Sequence, residues 1–597
     1  MSQVYDYVVV GSGAGGGTIA ARLAEAGYSV AVIEGGSDPL HCGKDRAGVD
    51  YRVPAFHPMA SENPGFDWPY YVRHFDDEAR CERDGNWAPR GIYYPRAAAL
   101  GGCTAHHAMI FLTPPDSDWD TLAAATGDSG WSAAAMRRHR RALEACRHRP
   151  LRRLLARLGI DPTGHGWRGW LRVERAMPLK ALADLPLLWM LVRLALEDLG
   201  RDRGWLRRLG LFLTDFGDPN DVRRAGGEQL CYLPLATYRH ARGGTRERLL
   251  DVARRHPDRL HLRTESWASA IQFDGDRATG VRVERCPGRQ HDPSRPAEQV
   301  EIVAARREVI VAAGAFETPK LLMLSGIGDP AALAACGIAP RIALPAVGRN
   351  LQDRYEIGIV HRMARPWASL RGARFDVHDP LYRRWRWWRG GMYTSNGCAI
   401  AALRRSSRAD GANPDLVLMG LLGRFSGYRE GYAAAIWPGL NGFTWAILKG
   451  GTRNRAGSVT LNPANPRGAP IINFRNFAEG GAADLDALVE GVTMARSLAA
   501  PLIAAGLIAE EEIPGSGLTG PALRDWVADH AWGHHACGTA AIGPVLDGQC
   551  RVHGVTGLRV VDASIFPHIP GLFLAAPIML AAEKIAADIL PGAPATA

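Results

Sequence analysis

The chain has 597 residues, 47% of them hydrophobic and 22% charged, and a formal net charge of +10. That length calls for two or more lobes with sizeable cores, and the composition excludes collagen, coiled coil and disorder. Only five of the 71 cationic residues are lysine, so the basic balance reads as genome composition, no nucleic-acid partner is expected, and weak association with an anionic membrane surface stays open.

The stretch YDYVVVGSGAGGGTIAARLAEAGYSVAVIEGG (5–36) reads as buried strand, Gly-rich turn, helix and second strand, a βαβ unit. MRRHRRALEACRHRPLRRLLARLG (136–159) reads as an Arg-rich helix with a solvated face. LPLLWMLVRLAL (185–196) is too short to span a bilayer and carries Arg193. It is either a buried or lid helix or one that touches lipid or admits a greasy substrate. Residues 260–284 read as strands turning at Asp274-Gly275, and 307–328 as a second buried strand entering a helix. LYRRWRWWRGGMYTSNG (381–397) reads as a loop at a domain edge with Trp stacked on Arg, or as a membrane-facing or gating patch. Residues 557–590 read as strand, loop and amphipathic helix.

Nucleotide-binding signals thus sit at the start, middle and end, which implies a discontinuous first domain with a second inserted in pieces. The expected division is 1–120, 225–335 and 530–597 for the first, and 121–224 with 336–529 for the second. No apolar run reaches the ~18 residues of a membrane span, and no signal peptide precedes the first strand. Ten cysteines without a CxxC pair argue against a zinc site or a disulfide framework. The expected location is cytoplasmic, with peripheral attachment at the inner membrane surface left open.

Gly11, Gly13 and Gly16 form GxGxxG. The first permits the tight turn, the second lets backbone approach a pyrophosphate, and the third lets helix pack on strand. Phosphate oxygens then meet the helix N-terminus, and Glu34 is placed to accept from a ribose hydroxyl. VIVAAGA (309–315) and GLRVVDAS (557–564), which puts Asp562 at a strand end, favour FAD over NAD.

These segments, with PRAAALGGCTAHHAM (95–109), GAFETPKLLMLSGIG (314–328), LPAVGRNLQD (344–353), HHACGTAAIG (534–543) and VHGVTGLRVVDASIFP (552–567), resemble the glucose-methanol-choline (GMC) oxidoreductases. The resemblance implies an α/β chain: a Rossmann-like FAD-binding domain carrying an inserted α+β substrate domain on an antiparallel sheet. It implies oxidation of an alcohol to a carbonyl with hydride transfer to the flavin. His535, in the H-x-x-G-T stretch, would take the hydroxyl proton, and His534 packs beside it or points into the substrate pocket. It further implies cofactor contacts from Ser12, Ala14, Gly35, Arg96, Gly101, Gly102, Thr104, Ala108, Met109 and Trp267. Ala313, Gly314, Ala563, Ala575 and Pro577 complete that set.

Two neighbouring histidines bear on the flavin. His106 stands five residues after Gly101, where some members attach FAD covalently, so a covalent link, a plain contact and simple packing all stay open there. His107 replaces a common asparagine and is expected to touch flavin or substrate. Adjacent residues rarely converge on one ion, so no metal is expected. The chain departs from the family at Ala575, where most members carry a second His or Asn. That polar group is then missing or supplied by His107, His534 or His568. With the apolar PGLFLAAPIML (570–580) and Trp189, this favours a hydrophobic alcohol over a sugar or choline. Oxygen or a quinone-like carrier would reoxidise the flavin. The alternatives are a non-redox hydroxynitrile-lyase-like enzyme and a fatty-acid photodecarboxylase. The latter is invited by Cys398 but lacks its arginine partner, the matching stretch being apolar near Leu418 and Met419.

Overall fold

The computed structural model describes residues 4–44, 46–175, 184, 187–189, 192, 217–223 and 226–590. Its first lobe is built on a seven-stranded sheet. The strand Val4–Val10 pairs in parallel with Val30–Ile33 and with the end of the long strand Gln299–Val311. Leu260–Arg263 and Leu558–Val560 extend the parallel part, and the hairpin Ser266–Asp274 and Arg277–Arg285 runs antiparallel beyond it. Val8, Val9, Val309 and Ile310 are fully buried, as a parallel sheet covered on both faces requires. The helix Ala14–Glu25 covers it, packed against Thr245–Arg255 and the C-terminal helix Ala575–Ile589.

The second lobe is a six-stranded antiparallel sheet in the order 508–513, 355–363, 442–449, 416–421, 398–404, 229–231. The helix Gly481–Ala504 lies on it through Leu488, Val492 and Ala495. This helix is long and apolar enough to cross a membrane by length and composition. Its packed face and its buried Asp484, which accepts from the Arg453 backbone at 2.8 Å, make it a core helix.

The lobe boundaries differ from those expected from sequence. The helices Asp116–Thr126 and Ala133–Leu143 bury Trp119, Leu122 and Met136 in the nucleotide-lobe core, so 121–175 packs there and not with the substrate sheet. Val347 joins the same core, whereas Gln229–Cys231 hydrogen-bonds to the substrate sheet. Arg140, expected on a solvated face, is buried and bonded to Glu144 at 3.0 Å. The expected loop at 381–397 opens as a helix, Pro380–Trp388, because Asp379 caps it by accepting from Tyr382 N at 2.7 Å and Pro380 fits the first turn. Trp385 is buried there, with the Arg389 guanidinium 4.2 Å from its ring centre. The apolar run 185–196 falls largely outside the described residues.

Candidate active site

A cavity of about 980 Å³ runs between the lobes, from the glycine turn to an aromatic end at Phe425, Tyr428, Tyr432 and Trp437. At its first end the chain leaves the central strand through Gly11, whose φ is +98°. A Cβ on Gly11 would lie 2.2 Å from Ala312 O, and one on Gly16 would lie 2.0 Å from Gly11 O. Gly13 and Gly102 bring the two loops into close backbone contact: a Cβ on Gly102 would lie 2.7 Å from Gly13 Cα. No side chain caps the helix that starts at Ala14, so its first N–H groups stay free for an anion.

Glu34 is 7% exposed. Its carboxylate accepts from Ser12 N at 3.1 Å, Ser12 Oγ at 2.6 Å and Gly36 N at 3.0 Å. Burial raises its pKa, and these hydrogen bonds oppose the shift. Gly35 packs against the Trp267 ring, and both line the cavity with Ala14. On the opposite wall Asp562 accepts from Gly314 N at 2.8 Å, Thr318 Oγ1 at 2.5 Å and Ser564 N at 2.7 Å. It thereby holds the segment that presents Ala313, Gly314 and Ala563.

The loop after Ala99 crosses the middle of the cavity. Gly101, at φ +104°, donates its N–H to Ser12 Oγ at 2.9 Å, which joins this loop to the glycine turn. Thr104, His106, His107 and Ala108 line the wall. His106 and His107 are each left with an Nε2 that is buried and has no hydrogen-bond partner. Burial, and then the positive charge of Arg96 and Arg242, holds His106 well below the usual imidazole pKa; for His107 the causes are burial and then Arg242. Arg242 is buried and donates to Tyr51 O at 2.8 Å, Thr104 O at 3.2 Å and His107 O at 2.6 Å. Desolvation pushes its guanidinium down to about 10.

His534 and His535 face this loop. Their rings are 4.0 Å apart, and Tyr428 and Phe573 flank them at 4.8 and 5.7 Å. Asp353 fixes their backbone, accepting from His535 N at 2.7 Å and from Tyr94 Oη at 2.6 Å. Arg96 donates to His534 O at 3.1 Å. Burial leads the forces that keep both imidazoles neutral, His534 at about 3 and His535 well below its ordinary value. Glu356 Oε1 stands 3.2 Å from His534 Nδ1 and 3.4 Å from His535 Nδ1, too poorly aligned for a hydrogen bond to either. Burial and then the neighbouring Asp353 raise this carboxyl to about 8.

Gly16, Gly101, Met109 and Pro577 stand behind the cavity wall rather than on it: Met109 is fully buried in a core shared with the substrate sheet, and Pro577 lies inside the last helix. Ala575 does line the cavity. His568 is exposed and outside it, so among the candidates for the missing polar group only His107 and His534 reach the site. Cys398 lines the apolar wall opposite Leu421 on the neighbouring strand, and burial pushes its thiol up to about 12. Sequence reading missed Glu356, Arg242 and Tyr428, which no local motif marks, and Asp353, which closes the segment LPAVGRNLQD but is assigned no role from it.

The family model for GMC oxidoreductase matches residues 217–356 and 452–582, and a model for a Rossmann-like NAD(P)-binding domain matches 9–68. Choline oxidase from Arthrobacter globiformis is 30% identical over 94% of this chain and 90% of its own length. The chain belongs to the GMC oxidoreductase family. Oxygen-dependent choline dehydrogenase from Sinorhizobium fredii is 28% identical over 98% and 95% of the two chains. Among solved structures, formate oxidase aligns with a TM-score of 0.77 at 21% identity, and pyridoxine 4-oxidase from Mesorbium loti with 0.73 at 22%; each alignment covers 98% of both chains. At that identity they share the fold.

GMC oxidoreductases bind FAD, and the cavity suits it. The uncapped start of the helix at Ala14 suits a pyrophosphate, Glu34 suits a ribose, and the unpartnered histidine nitrogens belong to residues lining the same cavity.

Proposed function

We propose that this GMC oxidoreductase oxidises an apolar primary or secondary alcohol to the aldehyde or ketone, with His535 as proton acceptor. The observation that carries the reading is the buried pair His534 and His535, neutral and without hydrogen-bond partners at Nδ1, facing an aromatic pocket. Bound FAD supplies the acceptor for the hydride. The chain supplies the rest. Phe425, Tyr428, Tyr432 and Trp437 exclude water and seat the carbon skeleton, and Ala575 keeps that end apolar. An uncharged imidazole at His535 can take the hydroxyl proton, which builds the alkoxide character that hydride loss needs. His534 and His107 are the polar groups left to hold the alcohol oxygen. Molecular oxygen, favoured over a quinone-like carrier by the relatives named oxidases, accepts the electrons. Ten free cysteines suit a cytoplasmic site. Trp387 and Trp388, 74% and 77% exposed beside Arg383, Arg384 and Arg386, support weak contact with the inner membrane surface.

His106 is the residue we assign to a covalent link with FAD, because its ring is neutral and its Nε2 is buried and unpartnered on the cavity wall. One observation favours a second substrate reading. Glu356 Oε1 has no donor and sits among aromatic rings, a setting that suits a cationic alcohol such as choline.

Three outcomes test these statements. His535→Ala should keep its yellow colour yet reduce flavin about 10²–10⁴-fold more slowly, measured by stopped-flow; a rate near wild type removes the proton-acceptor role. Acid precipitation should leave FAD on the wild-type polypeptide and release it from His106→Ala, and colour in the wild-type supernatant would exclude the link. If Glu356 binds a cation, it does so ionised, so kcat/KM for choline should fall about tenfold per pH unit below about 8. Its uncharged isostere 3,3-dimethylbutan-1-ol should show no such limb; matching profiles would retire the cationic reading.

A further inference from the structure

Away from the cavity, the nucleotide lobe buries a second cluster of ligand-type side chains that plays no part in the chemistry above. Cys146 ends the strand Glu144–Cys146, and His148 follows two residues later. His165 lies in the loop before the strand Leu171–Arg175, and Asp218 precedes the strand Gln229–Cys231. Donor atoms of Cys146, His148 and His165 all lie within 4.8 Å of one another. Cys146 Sγ is 3.6 Å from His148 Nδ1 and 3.8 Å from its Nε2. Asp218 Oδ2 is 2.7 Å from His148 Nε2 and 3.2 Å from His165 Nε2. Side-chain exposure is 6% for His148, 2% for Asp218 and 0% for His165, and Cys146 is fully buried.

The outward ring nitrogens are held from behind. His165 Nδ1 lies 2.8 Å from Glu144 Oε1, and His148 Nδ1 lies 3.4 Å from Val173 O. Glu144 is itself fixed by Gly166 N at 3.1 Å and Arg140 Nε at 3.0 Å. A carboxylate behind His165 and a carbonyl behind His148 orient the two rings, as the groups behind metal-bound imidazoles do, and both Nε2 atoms point at Asp218. His165 Nε2 is buried and has no hydrogen-bond partner. Two cations share the neighbourhood: Arg140 Nη2, 2.9 Å from His165 Nδ1, competes with Glu144 for that nitrogen, and Arg149 Nε lies 3.4 Å from Asp218 Oδ2.

We propose that Cys146, His148, His165 and Asp218 bind a divalent transition-metal ion, zinc by its ligand preference, as a structural site. A thiolate, two imidazoles and a carboxylate form a mixed S, N and O set of the kind zinc takes. Zinc–ligand bonds of about 2.0–2.3 Å at tetrahedral angles place donors roughly 3.3–3.6 Å apart. The 3.8 Å Cys146 Sγ–His148 Nε2 distance and the 3.2 Å His165–Asp218 distance are near that range. The 2.7 Å His148–Asp218 contact is a hydrogen bond that would lengthen on binding. Charge favours the ion too: one thiolate and one carboxylate neutralise a dication in a place where an unbalanced charge is costly. The ion would displace the thiol proton and the proton shared by His148 and Asp218. It would tie the 146–165 segment to the stretch that feeds the first strand of the substrate sheet.

The test uses the holoenzyme made in zinc-supplemented medium and dialysed. Elemental analysis should find about one zinc per chain, falling below about 0.1 in Cys146→Ser/His165→Ala. His534→Ala is the control, because Glu356, His534 and His535 also bring three donors together; it should keep its zinc. A chelator should lower the thermal midpoint of the wild type. Should the double variant fail to fold, cobalt(II) added to chelated wild type serves instead and should give a thiolate-to-cobalt charge-transfer band. Absence of zinc from the wild type, zinc retained in the double variant, zinc lost in His534→Ala, or no cobalt–thiolate band would each overturn the site.

Discussion

The His534–His535 end of the cavity depends on one buried carboxylate. Asp353 accepts from the backbone of His535, from the hydroxyl of Tyr94 and from its own neighbour Arg354 N at 2.8 Å. Tyr94 comes from a strand beside the nucleotide lobe, Asp353 lies two residues before the first long strand of the substrate sheet, and His535 lies in the return towards the C-terminus. Desolvation raises the Asp353 pKa, and these donors oppose it. Hydrogen bonds to a charged group contribute about 1.5–3 kcal/mol each, whereas a buried carboxylate left unpaired would cost more. The three segments are therefore held together or not at all, and the imidazole of His535 is aimed by a contact remote from its own ring. Tyr94 Oη also accepts from Ala536 N at 2.9 Å, which fixes the residue that follows.

Around that anchor the site separates charge by burial. Four histidines, at 106, 107, 534 and 535, are kept neutral chiefly by loss of water and then by neighbouring cations or by one another. Arg96 and Arg242 spend their hydrogen bonds on backbone carbonyls of the loops that carry those histidines. They shape the loops and bias the imidazoles electrostatically at once. Glu356 is the exception, a carboxyl pushed towards neutrality in the same enclosure. A neutral base beside a nearly neutral acid suits proton abstraction from an uncharged alcohol, and it leaves the substrate's charge as the one variable the pocket can still discriminate.

The nucleotide half was legible because its constraints are local. Gly11 and Gly16 cannot be other residues when a Cβ would meet backbone oxygen at 2.0–2.2 Å, and such demands leave a motif in the sequence. The adjacent histidines after the double glycine were legible for the same reason. Glu356 and Arg242 were not, because each sits on a strand whose partners are distant in sequence, and a lone charged residue there reads as surface; Asp353 ends a legible segment, but its partners Tyr94 and His535 are equally distant. The lobe boundaries failed on Leu122, Trp131 and Arg140: the arginine-rich helix Ala133–Leu143, which suggested solvent, instead packs against the C-terminal helix, with Arg140 neutralised by Glu144. The same bias hid the Trp385 helix, since its Asp379 cap is short-range but its burial is set by His240 O, 2.6 Å from the Trp385 Nε1.

If this cavity holds FAD and presents a bound alcohol to it beside an uncharged His535, anaerobic titration of the purified yellow protein with a panel of primary and secondary alcohols, followed by visible absorbance, should show at least one apolar alcohol bleaching the flavin to completion at about one equivalent. A colourless protein that takes up no FAD, or a spectrum that every alcohol leaves unchanged, would rule out that arrangement.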